Sequence, residues 1–166
     1  MRGRAFRNRP IERRGMMGLA MERAEAIVRL RTARVGRLAT VTREGRPHVV
    51  PFVFVLVEDG PTVRLYWAVD RKPKRSERLR RLENLEANPI AEVVVDGYEE
   101  DWDRLWWVRA WGSTRVVERR EEREVALAAL REKYPPYAAE PPDGPVVAID
   151  VTRIAGWEAA GGGRGG

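Results

Sequence analysis

Cysteine is absent from this chain of 166 residues, and histidine occurs once, as His48. A chain without cysteine has no disulfide, no thiolate nucleophile and no thiolate ligand for a metal ion. One histidine is too few for the ligand sets that hold zinc or other transition metals. We therefore expect no metal site and no catalytic side chain, and we expect a bound cofactor to supply any chemistry.

Long apolar runs are also missing. No segment approaches the ~20 consecutive apolar residues of a membrane-spanning helix, and the arginine-rich start lacks the apolar centre of a secretory signal. These absences predict a cytoplasmic protein without a membrane partner. Because 43% of the residues are hydrophobic, the chain can bury one core, which predicts one folded domain.

Positive charge is concentrated in two segments. Residues 1–15 contain six arginines and one acid, and residues 70–81 contain seven basic and two acidic residues. Residues 82–103 then contain eight acidic residues and no basic one. Such segregation indicates one local anion site, and it makes a broad nucleic-acid surface an unfavoured alternative.

Apolar periodicity divides the chain into three parts. Residues 1–17 form a basic N-terminal arm without periodicity, which predicts disorder. Residues 18–158 form the folded domain, and residues 159–166 form a flexible, glycine-rich tail. Within the domain, the pattern predicts helices over 20–31, 74–87 and 119–134. It predicts strands over 36–43, 46–57, 62–69, 90–96, 105–118 and 146–153. About six strands with flanking helices are typical of a small closed barrel of the α+β class.

The second of these strands has two unusual features. The segment 49–57 is apolar at nearly every position, so both of its faces must be covered, one by the barrel interior and the other by a helix or a second subunit. Pro47 and Pro51 lack a backbone N–H, so the strand lies at an edge or is interrupted where something docks. A planar ring lying against exposed strand backbone is one candidate.

Basic residues surround the start of the helix 74–87. Lys74, Arg78 and Arg81 fall on one helix face. The helix N-terminus adds backbone N–H groups and the positive end of the helix dipole, so that with Lys74 and Arg75 it could hold a phosphate. The alternative is a solvated basic face that pairs with the acids that follow.

Two further candidates lie on strands. His48 is either a polar residue of a strand face or a ligand contact. Trp102, Trp106, Trp107 and Trp111 cluster around Arg109 in the sequence, and Trp106 and Trp107 must point to opposite faces of their strand. Barrel core and dimer interface would explain this pair; alternatively, one indole and Arg109 form the wall of a site for a ring or an anionic substrate.

Several of these segments resemble a known family. Gly36–Pro51, Asp70–Arg75, Leu79–Asn84 and Asn88–Pro89 together resemble the split β-barrel flavin/deazaflavin oxidoreductases. More narrowly, the chain is similar to the pyridoxamine-5′-phosphate-oxidase-like, deazaflavin-dependent enzymes of actinobacteria, and Asp101–Arg109 resembles one branch of that group. The resemblance covers roughly residues 20–155 and implies an FMN-binding-like split β-barrel.

The resemblance also implies a homodimer with two cofactor sites at the subunit interface. The implied cofactor is coenzyme F-420, a 5-deazaflavin that transfers hydride at C5 and carries a phospholactyl-glutamate tail. The ring would lie against Val50, Pro51 and Phe52. The phosphate and the tail carboxylates would bind Arg71, Lys74, Arg75 and Arg78. The remaining candidate cofactor contacts are Arg37, His48, Trp107 and Arg109.

The function that follows is hydride transfer between F-420 and a small conjugated or heteroaromatic substrate. The protein would orient the ring and the substrate and exclude water, without an obligatory side-chain acid. Three alternatives stay open. They are an FMN-dependent oxidase or reductase on the same fold, a non-catalytic F-420-binding protein, and nucleic-acid binding through the arginine-rich arm.

Overall fold

A computed structural model describes residues 18–69 and 75–160, without the side chains of residues 75–79. Its strands are β1 (Gly18–Ala20), β2 (Gly36–Val41), β3 (Pro47–Phe52), β4 (Val55–Asp59), β5 (Thr62–Ala68), β6 (Ile90–Gly97), β7 (Trp106–Val116) and β8 (Val146–Ala159). Its helices are α1 (Arg23–Thr32), α2 (Arg75–Ala87), α3 (Arg120–Lys133) and α4 (Pro135–Ala139), and a short 3₁₀ turn covers Trp102–Arg104. The predicted arm, residues 70–74 and residues 161–166 lie outside the described part.

The eight strands form one antiparallel sheet in the order β3-β2-β6-β7-β8-β5-β4, and β1 pairs with β8. The two edge strands, β3 and β4, are joined by Val53 and Phe54 alone. Because so short a link spans at most ~11 Å, the two edges of the sheet must meet at this corner. The sheet therefore curls into a barrel. This architecture confirms the predicted α+β split barrel with flanking helices.

Tyr134 fastens the corner between β3 and β4. Its hydroxyl accepts a hydrogen bond from the Phe54 N–H at 3.2 Å and lies 2.7 Å from the Phe54 carbonyl oxygen. It also lies 2.9 Å from the Arg34 carbonyl oxygen, and it can donate its one hydrogen to either acceptor. Tyr134 and Phe54 are both buried. The chain can therefore change edges without leaving the Phe54 backbone unpaired in the core.

The core has two parts. Inside the barrel, large apolar side chains from most strands pack together, including Leu38, Phe54, Leu65, Val93 and Ile149. Helix α3 buries Ala126 and Leu130 against the outer side of β4, β5 and β8. Helix α1 buries Ala26, Ile27 and Leu30. None of the helices within the described residues has both the length and the apolar composition needed to cross a membrane.

The sequence predictions missed β1, because Ala20 was assigned to a helix that begins only at Arg23. Three further segments also differ from the predictions. The segment 46–57, predicted as one strand, forms β3 and β4, because the chain changes partner from β2 to β5 at the corner. The last strand continues to Ala159, since its end pairs with both β7 and β1. The segment Pro135–Ala139, predicted as a loop, is the short helix α4, because proline is tolerated in the first helical turn.

Lys133, at the end of α3, holds its ammonium group beside the same corner. Its Nζ lies 4.7 Å from the centroid of the Phe54 ring and 5.6 Å from that of Tyr134. No described residue accepts a hydrogen bond from this buried atom. Burial, and then the positive charge of Arg34, lower the pKa of Lys133 to about 8.

Lys133→Met is expected to stabilise the protein at neutral pH. The ordinary lysine pKa is 10.5, so between about pH 8 and 10.5 the unfolded chain binds more protons than the folded one, and wild-type stability rises with pH. At pH 7 the variant should gain ~1–2 kcal/mol, which is the desolvation cost less the lost cation–π attraction. Urea denaturation at pH 7 and pH 10.5 measures this gain, which should shrink at the higher pH. The exposed Arg131→Met is the control, and an equal gain at both pH values would contradict the assignment.

Candidate functional site

The site begins at the hairpin that joins β2 to β3. The Thr42 N–H donates to the Arg46 carbonyl oxygen at 2.9 Å, and the Gly45 N–H donates to the Thr42 carbonyl oxygen at 2.9 Å. Gly45 has a φ of 78°, which glycine adopts at little cost. The Arg46 N–H donates to Thr42 Oγ1 at 3.2 Å, so one backbone bond and one side-chain bond join Thr42 to Arg46 and set the register of β3 on β2.

Among the strands of the described residues, β3 pairs with β2 alone and leaves its other edge free, as the prolines predicted. Hydrogen-bonded and non-hydrogen-bonded pairs alternate along an antiparallel ladder, so Pro47, Val49 and Pro51 occupy non-hydrogen-bonded positions. Their backbone groups point away from β2, and the prolines therefore remove no ladder bond. The edge offers three carbonyl acceptors and one N–H donor, that of Val49, to anything that lies along it.

The side chains of β3 alternate between the two faces of the sheet. Val49 and Pro51 are exposed on the outer face, Val49 to 60%. Val50 packs partly against the core. The Phe52 ring is buried, 5.1 Å from the Phe54 centroid and 6.4 Å from the Trp67 centroid. Among the predicted contacts, Phe52 can therefore offer a ligand only its backbone.

His48 lies on the inner side of β3, beside two buried polar residues. Its Nδ1 is 3.5 Å from Thr40 Oγ1, which accepts a hydrogen bond from Asn84 Nδ2 at 3.0 Å. The Thr40 hydroxyl keeps one hydrogen, which it can donate to Nδ1 or to the His48 carbonyl oxygen, also at 3.5 Å. When Nδ1 accepts it, Nε2 carries the ring proton. Contact between His48 and a ligand stays a prediction.

A cleft of about 620 Å³ separates the β2–β3 hairpin from α2, and His48 lines it. The arginines and glutamates of its wall balance each other; they are Arg43, Arg46, Arg80, Glu44, Glu83 and Glu86. Because the charges cancel, this cleft is not in itself an anion site.

The predicted basic cluster lies largely beyond the described residues. Arg71 and Lys74 fall outside them, as do the side chains of Arg75 and Arg78. The backbone of Arg75 and Arg78 lies at the N-terminal end of α2, which agrees with the predicted helix. Arg81, one turn further on, places its guanidinium carbon 5.4 Å from the Trp67 ring centroid.

The outer face of the sheet brings together residues from distant parts of the chain. One register row crosses five strands and contains Pro51, Arg37, Val94, Arg109 and Ala155. Neighbouring strands are ~4.8 Å apart, so the backbones of Arg37 and Arg109 are ~10 Å apart. The predicted contacts Arg37, Pro51 and Arg109 therefore lie on one continuous surface, which we call the outer face.

Trp107, Arg109 and Trp111 follow each other on the outer face of β7. The guanidinium carbon of Arg109 is 4.6 Å from the Trp111 centroid and 5.9 Å from the Trp107 centroid. Arg109 also pairs with Glu92, and this hydrogen bond raises the pKa of Arg109. The arginine is therefore a fixed charge held between two indoles.

Trp106 points the other way, as the alternation predicted. It packs against the barrel core, and the guanidinium carbon of Arg29 lies 4.6 Å from its ring centroid. The outer-face indole is therefore that of Trp107. Within the described residues, no group of three or more acidic or histidine side chains is arranged to hold a metal ion.

Two participants were missed from the sequence. Thr40 and Asn84, which position His48, are 44 residues apart, and no local motif joins them. Trp111 was noted as an aromatic residue but not as a partner of Arg109. Its alternation with Trp107 on the same strand was the available signal.

Comparisons with known proteins identify relatives of this chain. The family model of pyridoxamine 5'-phosphate oxidase matches residues 22–158. No curated protein matches the sequence.

Solved structures share the architecture. A conserved hypothetical protein from Mycobacterium tuberculosis is 21% identical, with a TM-score of 0.67 over 94% of this chain and 94% of that one. An FAD-binding protein from Mesorhizobium loti is 22% identical, with a TM-score of 0.65 over 87% of this chain and 100% of its own. The heme storage protein from Vibrio cholerae is 17% identical, with a TM-score of 0.58 over 82% of this chain and 94% of its own. At these identities the likeness concerns the fold.

Proposed function

We propose that this chain, which belongs to the pyridoxamine 5'-phosphate oxidase family, is a cytoplasmic oxidoreductase that uses coenzyme F-420. It transfers hydride between this deazaflavin and a small conjugated or heteroaromatic substrate. The observation that carries the proposal is the free edge of β3, which contains Pro47 and Pro51. The basic segment 70–81 follows later in the same chain. The Mesorhizobium loti protein of the same fold binds FAD, which supports a flavin-type ring on this barrel.

The described residues suit the ring of such a cofactor. The pyrimidinedione edge of a flavin or deazaflavin carries both carbonyl acceptors and an N–H donor, and the β3 edge offers the matching groups at Pro47, Val49 and Pro51. Arg37, exposed beside Pro51, adds a cation on the same face. These groups would bind and orient the ring.

The charge of the segment 70–81 favours F-420 over FMN. The F-420 tail carries a phosphate and several carboxylates, whereas FMN carries a single phosphate. The segment contains seven basic residues and two acids, a charge that favours binding of a polyanion. Arginine pairs with carboxylate and phosphate through two parallel hydrogen bonds.

In the reaction, this chain would position the cofactor ring and the substrate and shield them from water. When bound, the deazaflavin supplies or accepts the hydride at its C5. The β3 edge and Arg37 would fix the plane of the ring, while Trp107 and Arg109 would close the site to water. Solvent would supply the proton that must accompany the hydride, so a side-chain acid is not obligatory.

A second copy of the chain is proposed to cover the outer face. Val49 is 60% exposed there, and Trp107 and Trp111 lie on the same face of the sheet. Aromatic residues and arginine are enriched at protein interfaces. In this homodimer, Trp107 and Arg109 of one subunit would form a wall of the cofactor site on β3 of the other.

The variant Val49→Glu is expected to convert the dimer into a folded monomer. It places a charge in the centre of the proposed interface without changing the core, because Val49 is exposed in one subunit. Size-exclusion chromatography with light scattering measures the mass. The control is Val125→Glu on α3, where the valine is 54% exposed. A monomeric wild type, or a dimer that tolerates Val49→Glu, would refute the interface.

Turnover separates the enzyme from a protein that only stores or presents the cofactor. Reduced F-420 is incubated without oxygen with the protein and a panel of quinones and nitroheteroaromatic compounds. We expect protein-dependent oxidation of F-420 with at least one acceptor. Tight binding without oxidation by any acceptor would favour the storage protein.

A further inference from the structure

A side chain from a distant helix closes the open end of the β2–β3 hairpin. The ladder between these strands ends at the pair of Gly36 and Phe52. Arg34 and Phe54 lie two residues beyond that pair, where the next hydrogen-bonded pair of the ladder would fall. The Tyr134 hydroxyl lies 2.9 Å from the carbonyl oxygen of Arg34 and 2.7 Å from that of Phe54. It therefore takes the place of the next rung and joins the ends of both strands.

The position of this hydroxyl is set by α3, which is not part of the hairpin. The Tyr134 N–H donates to the Leu130 carbonyl oxygen at 2.9 Å, and Leu130 is buried. The Tyr134 ring is also buried and packs edge-on against Tyr137, with their ring centroids 5.9 Å apart. The hydroxyl is therefore a fixed point to which the hairpin is attached.

The strand that ends at this fixed point carries the proposed cofactor edge. Pro51 is three residues from Phe54, a distance of at most ~11 Å along the chain. At the other end of β3, the two hydrogen bonds between Thr42 and Arg46 hold the turn. Without the hydroxyl, the buried N–H of Phe54 would lose the acceptor that lies 3.2 Å away. The corner would then have to open to water to regain a partner.

We propose that Tyr134 is a positioning residue for the cofactor. Its hydroxyl holds the end of β3 on β2, and so keeps the free edge of β3 in the shape that binds the deazaflavin ring. The residue acts through the backbone and does not touch the ring. This inference rests on the proposed function. When a site is correctly shaped for only part of the time, its apparent affinity falls by that fraction.

Two matched variants test the role of the hydroxyl. Tyr134→Phe removes it and keeps the ring that lies beside Lys133 and Arg34. The control is Tyr66→Phe, which also removes the hydroxyl of a buried tyrosine. The Tyr66 hydroxyl donates to Glu122 at 2.8 Å, in the first turn of α3 and ~18 Å along the helix from Tyr134. Both variants lose a buried hydroxyl, but only one loses the attachment of β3.

The first readout is F-420 affinity, measured by fluorescence titration at a temperature where circular dichroism shows each variant fully folded. Tyr134→Phe should raise the dissociation constant about fivefold, the usual effect of one hydrogen bond. Tyr66→Phe should change it less than twofold. A merely structural hydroxyl would lower the unfolding temperature and leave the affinity of the folded protein unchanged.

The second readout is amide hydrogen exchange in the protein without cofactor. The N–H groups of Val50 and Phe52 face β2, and in Tyr134→Phe they should exchange about tenfold faster than in wild type. In Tyr66→Phe their exchange should stay close to that of wild type.

Each contrary result has a distinct meaning. Unchanged F-420 affinity in Tyr134→Phe, an equal loss of affinity in both variants, or unchanged exchange of Val50 and Phe52 would overturn the role of Tyr134 while the proposed function stands. A wild type that binds no F-420 would overturn the proposed function, and this role of Tyr134 with it.

Discussion

Replacing Lys74 and Arg78 with alanine should weaken F-420 binding by ~1–3 kcal/mol, or roughly 5- to 150-fold. The expected cause is the loss of charge-assisted hydrogen bonds to the phosphate and the carboxylates of the tail. In the sequence both residues belong to the basic segment 70–81, and the backbone of Arg78 lies near the start of α2. The affinity is measured by fluorescence titration of each variant with F-420.

The control for this variant removes the same charge elsewhere. Arg119 and Arg131 are exposed, one just before α3 and one within it. Their double alanine variant should change F-420 affinity less than twofold, because exposed distant charges are screened by salt. Unchanged affinity in the Lys74 and Arg78 variant would remove both residues from the site. An equal loss of F-420 affinity in the control variant would mean that the effect comes from the change in net charge alone.

Gly112→Ala should lower the free energy of unfolding by about 3 kcal/mol. A Cβ atom at this position would lie 2.3 Å from the Asp150 carbonyl oxygen and 2.9 Å from the Asp150 carbonyl carbon. These are backbone atoms of β8, so they can retreat only by disturbing the β7–β8 ladder, which shifts register at this point. Urea denaturation at neutral pH measures the loss.

Ser113→Ala is the matched control for Gly112→Ala. Ser113 is the next residue of β7 and is exposed, so its change should alter stability by less than ~0.5 kcal/mol. A Gly112→Ala variant as stable as this control would mean that β8 tolerates a side chain at the bulge.

Local chemistry made several features of the fold predictable. Gly45 and Gly60 both occur in hairpin turns, and each has a positive φ, of 78° and 58°. The register of β7 on β8 shifts between Trp111 and Gly112, because a glycine inside a strand favours a bulge. The edge position of β3 followed from Pro47 and Pro51, because a proline cannot donate to a ladder. In each case one residue type restricts the backbone by itself.

The features that were not predictable depend on contacts between distant residues. An unbroken apolar run does not reveal that the chain changes partner at Val53 and Phe54. The Tyr134 hydroxyl that satisfies this corner lies 80 residues from Phe54 along the chain. Tyr134 alone separates α4 from α3, and two adjacent prolines are equally typical of a loop.

In the candidate site, too, local sequence patterns predicted some features, whereas others depend on contacts between distant residues. Alternation along β7 placed Trp106 and Trp107 on opposite faces, but no sequence pattern assigned the outer face to Trp107. That assignment needs the register of five strands, which also brings Arg37 and Arg109 onto one surface. The basic residues, in contrast, were evident from charge alone.

The central claim is that this barrel binds a deazaflavin through the β3 edge and the basic segment. Parallel titrations of the purified protein with F-420 and FMN, followed by fluorescence, test it most directly. The proposal predicts saturable binding of F-420 in the micromolar range or tighter, with much weaker binding of FMN. Tighter binding of FMN, or binding of neither compound, would contradict it.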